Sequence, residues 1–149
     1  MTRMTGSSRA TYEDVNLVLK LYDMRRESRL REARRWFVAS FKVKSLAEVA
    51  VICPPGSEEN ASYRQMTTYY EMVASFLTSG VLNPELFYQS GREMLLVWER
   101  MRHILPELRA ANGNPNEFKN LERAATAFIE WWNESAPGAY DAFSKRVRG

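Results

Sequence analysis

Apolar residues recur three or four positions apart along most of this chain, the spacing that stacks side chains on one face of an α-helix. Val15, Leu19, Tyr22, Leu30, Ala33 and Phe37 form the first such stripe, with Arg26 as its one polar intruder. Tyr63, Met66, Tyr70, Val73 and Leu77 form a second, and Met94, Trp98, Met101, Leu105 and Leu108 a third. Two more follow, Phe118, Leu121, Ala125, Phe128, Ile129 and Trp132, then Tyr140, Phe143 and Val147. Period-two alternation is absent, and the apolar run at 49–53 is the one stretch that also admits extended backbone. The pattern predicts an all-α fold, an irregular bundle of five to six helices with a long N-terminal helix.

Capping residues set the boundaries. Residues 1–10 are small and polar and read as a flexible tail, leaving 11–149 as a single helical domain. Thr11 opens the first helix, with Glu13 and Asp14 favourably placed against its positive end. Its periodicity runs unbroken to about residue 43, roughly 45 Å and longer than a domain of this size needs, so either one end projects beyond the bundle or the helix breaks near 25–29; one continuous rod is the favoured reading. Ser45 and Glu48 form a capping box for a short helix that Pro54, Pro55 and Gly56 stop. Ser57 caps the next helix and Gly80 ends it, and Asn83–Pro84 is a cap and first-turn pair. Ser90 and Gly91 are a candidate interruption, and Pro106 predicts a kink or a split. Pro137 and Gly138 close the penultimate helix.

The 149 residues suit one domain with one core, and 45% hydrophobic against 26% charged residues is an ordinary globular balance. Cys53 stands alone, so the chain can form neither an internal disulfide nor a multi-cysteine metal site. Together with a charged N-terminal stretch lacking the hydrophobic core of a secretory signal, this predicts a cytoplasmic protein. The longest uncharged stretch, residues 72–84, is too short and too polar to span a bilayer, so no membrane insertion is expected.

Chemistry is hard to place on these residues. A nucleophile needs a base, most often histidine, and His103 is the only one. Carboxylate-bridged metal sites in helical bundles use paired Glu-x-x-His motifs, for which a second histidine is missing. Phosphate-binding glycine loops are absent. No catalytic, metal-ligating or cofactor-binding set is assigned, and the expectation is a non-enzymatic protein. Glu71 stands out as an acid following Tyr69 and Tyr70 on an apolar helix, where pairing with Arg102 or Arg109 would fix helix register. Tyr70, Glu71 and Arg102 are the candidate lining of an interhelical ligand pocket. The densest charge is the run at 25–35, where Arg25, Arg26, Arg29, Arg31, Arg34 and Arg35 outnumber the nearby acids. A salt-bridged, solvated face is its default reading. Arg31, Arg34, Arg35 and Trp36 are the candidate interaction surface, and binding of nucleic acid through 25–35 is the weakest alternative. The corner at Gly80 superficially matches a helix-turn-helix, but its second helix opens with Glu85 and carries no Lys or Arg up to Gln89, the wrong polarity for phosphates.

Four phrases in order, LKLYDMRRESRLREARRWF, PPGSEENASYRQ, TYYEMVASFLTSGVLNPELF and VWERMRHILPELRAANGNP, resemble a bacterial family of small helical proteins known only as a domain of unknown function. Some of its members carry an added membrane helix. The resemblance spans about residues 17–132 and implies an all-helical fold with no active-site residue to carry over. The leading functional expectation is a protein-protein interaction or scaffold domain, self-associating through its long first helix or binding another protein. A small-ligand-binding or regulatory domain with an interhelical pocket is the alternative.

Overall fold

The computed structural model describes residues 9–148, and within them the chain forms nine helices and no strand. The helices are α1 (Tyr12–Arg26), α2 (Ser28–Ser40), α3 (Leu46–Ile52), α4 (Glu58–Thr78), α5 (Pro84–Tyr88), α6 (Glu93–Met101), α7 (Leu105–Asn112), α8 (Lys119–Ser135) and α9 (Ala139–Val147). The predicted tail at 1–10 lies outside the described residues except for its last two positions. The run at 49–53 is helical up to Ile52, at the end of α3.

The local signals operate as their chemistry requires. Thr11 and Asp14 cap each other reciprocally at the start of α1. Ser45, Ser57 and Asn83 each accept a backbone N–H in the first turn of α3, α4 and α5. Gly80 takes the left-handed backbone, φ 84°, that ends α4 without a Cβ penalty. Pro106 does not kink a helix but occupies the first turn of a new one, α7, where its missing N–H costs nothing.

The long N-terminal helix is absent, and this corrects the continuous rod expected from periodicity. Glu27 leaves helical geometry with ψ 141° and turns its carboxylate onto the next helix, accepting from the N–H groups of Arg29 at 3.0 Å and Leu30 at 3.1 Å. The reason lies in phase. Leu21 and Leu30 are nine residues apart, so on one straight helix they would point about 180° apart at 3.6 residues per turn. Both are nevertheless buried, at 5% and 9% exposure, and only a break between them lets both reach one core. The same logic raises the helix count from five or six to nine, since the chain also breaks between α5 and α6 and between α6 and α7.

α4 is the axis of the bundle, packing most extensively on α2 and α8, while α6 closes against α4, α8 and α9. Phe37, Phe41, Met66, Leu77, Met94, Leu121 and Phe128 are essentially sealed from solvent. α1 is peripheral, touching mainly α2 and α5.

Three charged side chains are buried among the described residues, Asp14 at the start of α1 and, deeper, Glu99 and Arg100. Arg100, 5% exposed, directs its guanidinium onto the carbonyls of Phe37 at 3.1 Å, Val38 at 3.1 Å and Phe41 at 2.9 Å, and onto that of Val147. It thereby closes the C-terminal ends of α2 and α9 together, a cation at the negative poles of two helix dipoles. Glu99, 2% exposed, accepts from the hydroxyls of Tyr140 and Ser144 and from Arg102 Nε at 3.2 Å.

Candidate functional site

α1 carries apolar side chains on two faces. Asp14, Leu17, Val18 and Leu21 face the bundle, with the Asp14 carboxylate accepting the Asn83 N–H at 2.9 Å and the Leu21 carbonyl accepting the Tyr69 hydroxyl at 2.6 Å. The adjoining outward face presents Tyr12, Val15, Leu19 and Tyr22, which are 89%, 41%, 58% and 52% exposed. Their spacing of three, four and three residues is the seam by which one helix packs along another. Asn16, Asp23 and Arg26 flank the row, each four residues beyond one of its members. The guanidinium carbons of Arg25 and Arg26 lie 5.7 and 5.8 Å from the Tyr22 ring centroid.

Val15, Leu19 and Tyr22 are therefore not core residues, contrary to the stripe read from the sequence. That stripe assumed one helical phase through Phe37, and the break at Glu27 hands the inward face of α1 to Leu17, Val18 and Leu21 instead. The available signal was that the apolar residues of α1 spread over more than half of its circumference, wider than one buried stripe needs, with Glu13, Asn16, Lys20 and Asp23 forming its main polar sector.

The arginines of the predicted interaction surface separate. Arg31 and Arg35 are exposed, whereas Arg34 turns inward, its Nε 3.6 Å from Glu93 and its Nη1 donating to the Arg25 carbonyl at 3.2 Å. Trp36 is half-buried against Phe41, ring centroids 6.1 Å apart. Arg25 Nε approaches Glu93 at 3.3 Å and the Tyr70 hydroxyl donates to the same carboxylate at 2.7 Å. Burial, reinforced by the Glu93 charge, pushes the Tyr70 phenol well above its ordinary pKa, and burial lifts Tyr69 to about 12, so both stay neutral hydrogen-bond donors at physiological pH. This cluster staples α1 and α2 to α4 and α6 just behind the exposed row.

Tyr70, Glu71 and Arg102 do not converge. Tyr70 is bound to Glu93, and Arg102 pairs with Glu99. Glu71 pairs with neither Arg102 nor Arg109. Its two oxygens accept the Leu121 N–H at 2.8 Å and the Asn120 side-chain amide at 2.9 Å, which caps α8 from across the bundle. The residue preceding α8, Phe118, supplies no side-chain cap of its own. Arg109 binds Glu122 at 3.0 Å instead. Sequence reading missed Arg100, although its position three residues after Val97 and four before Ile104, both 0% exposed, puts it on an apolar face.

Two concavities adjoin α1. A cavity of about 40 Å³ reaches from Val18 and Tyr22 to Tyr70 and Gly91, room for little more than a water molecule. An open groove of about 380 Å³ lies between Met24 and Leu30 on one side and Gln65, Thr68 and Met72 on the other. The side-chain oxygen of Gln65 is itself buried, without a hydrogen-bond partner. His103 is exposed and Cys53 is buried, its thiol donating to the Val49 carbonyl and its pKa pushed up by burial. Among the described residues no group of three or more His, Cys, Asp or Glu is placed to hold a metal ion, and no helix is long and apolar enough to cross a membrane.

The family model described as Domain of unknown function (DUF4760) matches residues 10–131. No curated protein and no solved structure matches the chain.

Proposed function

Since the chain belongs to this family of unknown function, we propose that it is a non-enzymatic protein-association module whose contact surface is the outer face of α1. The exposed row Tyr12, Val15, Leu19 and Tyr22 is the single observation that carries this reading. A row of large apolar side chains at helix-packing spacing, two of them tyrosines, has the composition of an interface core. The rest of the molecule supports the role by rigidity. α1 is held at Asp14, Leu21 and Arg25, so the row is presented on a fixed platform rather than a loose helix. A cytoplasmic setting belongs to the same reading.

Photo-crosslinking in cells tests it. A benzophenone side chain is placed at position 19 on the row, or at position 35, exposed on α2 among the arginines first singled out. Discrete adducts from position 19 and none from position 35 are expected. Adducts only from 35, or from neither, would overturn the reading.

The groove beside Met72 favours a second reading as a binding site for a small apolar ligand. Binding of nucleic acid is less favoured, because Arg34 and Arg25 are engaged by Glu93.

A further inference from the structure

We infer that Asn112 is a modification site, at which the chain converts its own carboxamide to a carboxylate through attack by the backbone nitrogen of the next residue. The chain holds eight asparagines, and only Asn112 is followed by glycine. Two of the others precede proline, which has no N–H to lose, and the remaining five precede a residue whose Cβ crowds the approach. Asn112 is also the last residue of α7, and both it and Gly113 are exposed, Gly113 in the left-handed conformation with φ 61°. The Gly113 N–H rests on the Ala110 carbonyl at 3.2 Å, and fraying of this last turn sets it free.

The reaction balances with water as its one co-reactant and involves no oxidation. The Gly113 nitrogen bonds to Asn112 Cγ as the Cγ–Nδ2 bond breaks, and ammonia leaves with the proton that Gly113 gave up, closing a cyclic imide. Water then opens the imide. Cleavage on the Cγ side gives aspartate, and cleavage at the backbone carbonyl gives isoaspartate, in which the main chain runs through Cβ. Glu117 restrains the first step, because its Oε2 accepts Asn112 Nδ2 at 3.2 Å and Asn114 Nδ2 at 3.4 Å.

The product works against the corner that joins α7 to α8. A carboxylate at position 112 no longer donates to Glu117 but repels it, and it stands at the negative pole of α7. The corner is otherwise held by the Asn114 N–H on the Arg109 carbonyl at 3.0 Å and by Arg109 Nε on the Glu117 carbonyl at 2.9 Å. It leads into Phe118, a non-glycine residue with φ 55°, a strained backbone that persists only while its surroundings hold it. Conversion therefore loosens the corner, irreversibly and without an enzyme.

Peptide mapping by mass spectrometry tests the site on the folded full chain, incubated at mildly alkaline pH. Aspartate and isoaspartate should accumulate at position 112 ahead of every other asparagine. An intact Asn112, or faster conversion at any other asparagine, would overturn the site. Glu117→Ala frees the carboxamide and should speed conversion about two- to fivefold, the scale of one exposed hydrogen bond. An unchanged rate would overturn the restraint assigned to Glu117. Hydrogen exchange across residues 113–118 should rise in Asn112→Asp and stay near the wild-type level in Asn112→Gln, which remains a neutral amide. An Asn112→Asp chain that exchanges no faster than Asn112→Gln would overturn the loosening.

Discussion

Replacing Arg100 by methionine should cost about 3–5 kcal/mol, a large share of the roughly 5–15 kcal/mol that holds a domain of this size folded. The magnitude follows from which acceptors are orphaned. The Phe37 carbonyl keeps its bond from the Phe41 N–H at 3.0 Å, so it loses only its second partner. The Phe41 carbonyl, on a residue with 0% exposure, loses a 2.9 Å charged hydrogen bond and has no water to replace it. An unsatisfied buried acceptor costs about 1–3 kcal/mol. Val38 is 37% exposed, so its carbonyl recovers part of its loss through solvent. The Val147 carbonyl releases the end of α9, which has no side-chain cap at its start either. Methionine retains most of the apolar volume, which confines the effect to the hydrogen bonds, and relief of burying a cation offsets some of it. Arg100→Lys keeps the charge but not the planar fork and should recover about half of the loss. Urea unfolding followed by circular dichroism gives the number from the midpoint and slope. A change below about 1 kcal/mol for Arg100→Met would refute the reasoning, because the guanidinium would then be replaceable by water.

Glu71→Ala removes a cap supplied by one helix to another and should lower stability by about 1–2 kcal/mol, with Glu71→Gln milder because its carbonyl still accepts one bond, both read from denaturant midpoints. Gly91→Ala should destabilise by about 1–3 kcal/mol, since a Cβ there would sit 2.4 Å from the Phe87 ring, which is itself packed on Phe128, and a drop in melting temperature would record it. At Glu99, burial alone would raise the carboxyl pKa, but hydrogen bonds from Tyr140, Ser144 and Arg102 outweigh it and leave the value depressed. A depressed folded-state pKa contributes stability above the unfolded-state value and loses it as pH falls through the folded one. The wild type should therefore lose more stability than Glu99→Gln as pH falls below about 4.5, as comparative urea titrations at pH 7 and pH 3 would show.

What the sequence made legible was mostly local. Thr11, Ser57, Asn83 and Gly80 work as caps because their chemistry acts within one turn, and a reader of sequence needs no tertiary knowledge to place them. Family membership and helical class were legible for a similar reason, since each rests on patterns along the chain. The Glu27 break was half legible: the excess length of the stripe admitted a break near 25–29, but no glycine or proline marks it and glutamate is outside the preferred N-cap residues. The cross-bundle cap by Glu71 was half legible. An acid on an apolar face signals a buried partner, but the partner was a backbone N–H on α8, which carries no sequence signature. Arg31, Arg34, Arg35 and Trp36 looked like one surface only while α2 was treated as an isolated helix, and Glu93 on α6 removes Arg34 from it.

The two errors on α1, its length and its buried face, are one error. A continuous helix would keep Leu19 in phase with Leu30, eleven residues and about three turns later, and would carry Leu19 and Tyr22 along the same face as Leu30 and Phe37. The broken chain buries Leu21 with Leu30 instead, and the residues in phase with the old stripe are left facing solvent. Both phases are written into the same fifteen residues, because α1 has apolar side chains enough for two faces. The choice between them is made at Glu27, by a carboxylate that caps α2, and by Asp14 and Tyr69, which hold α1 at the angle the break allows. A chain selected only to fold would have little reason to keep leucine and tyrosine on the face that this angle exposes, since polar residues there would serve solubility better. On the proposed reading of α1 as a contact surface, that row is kept because a partner covers it.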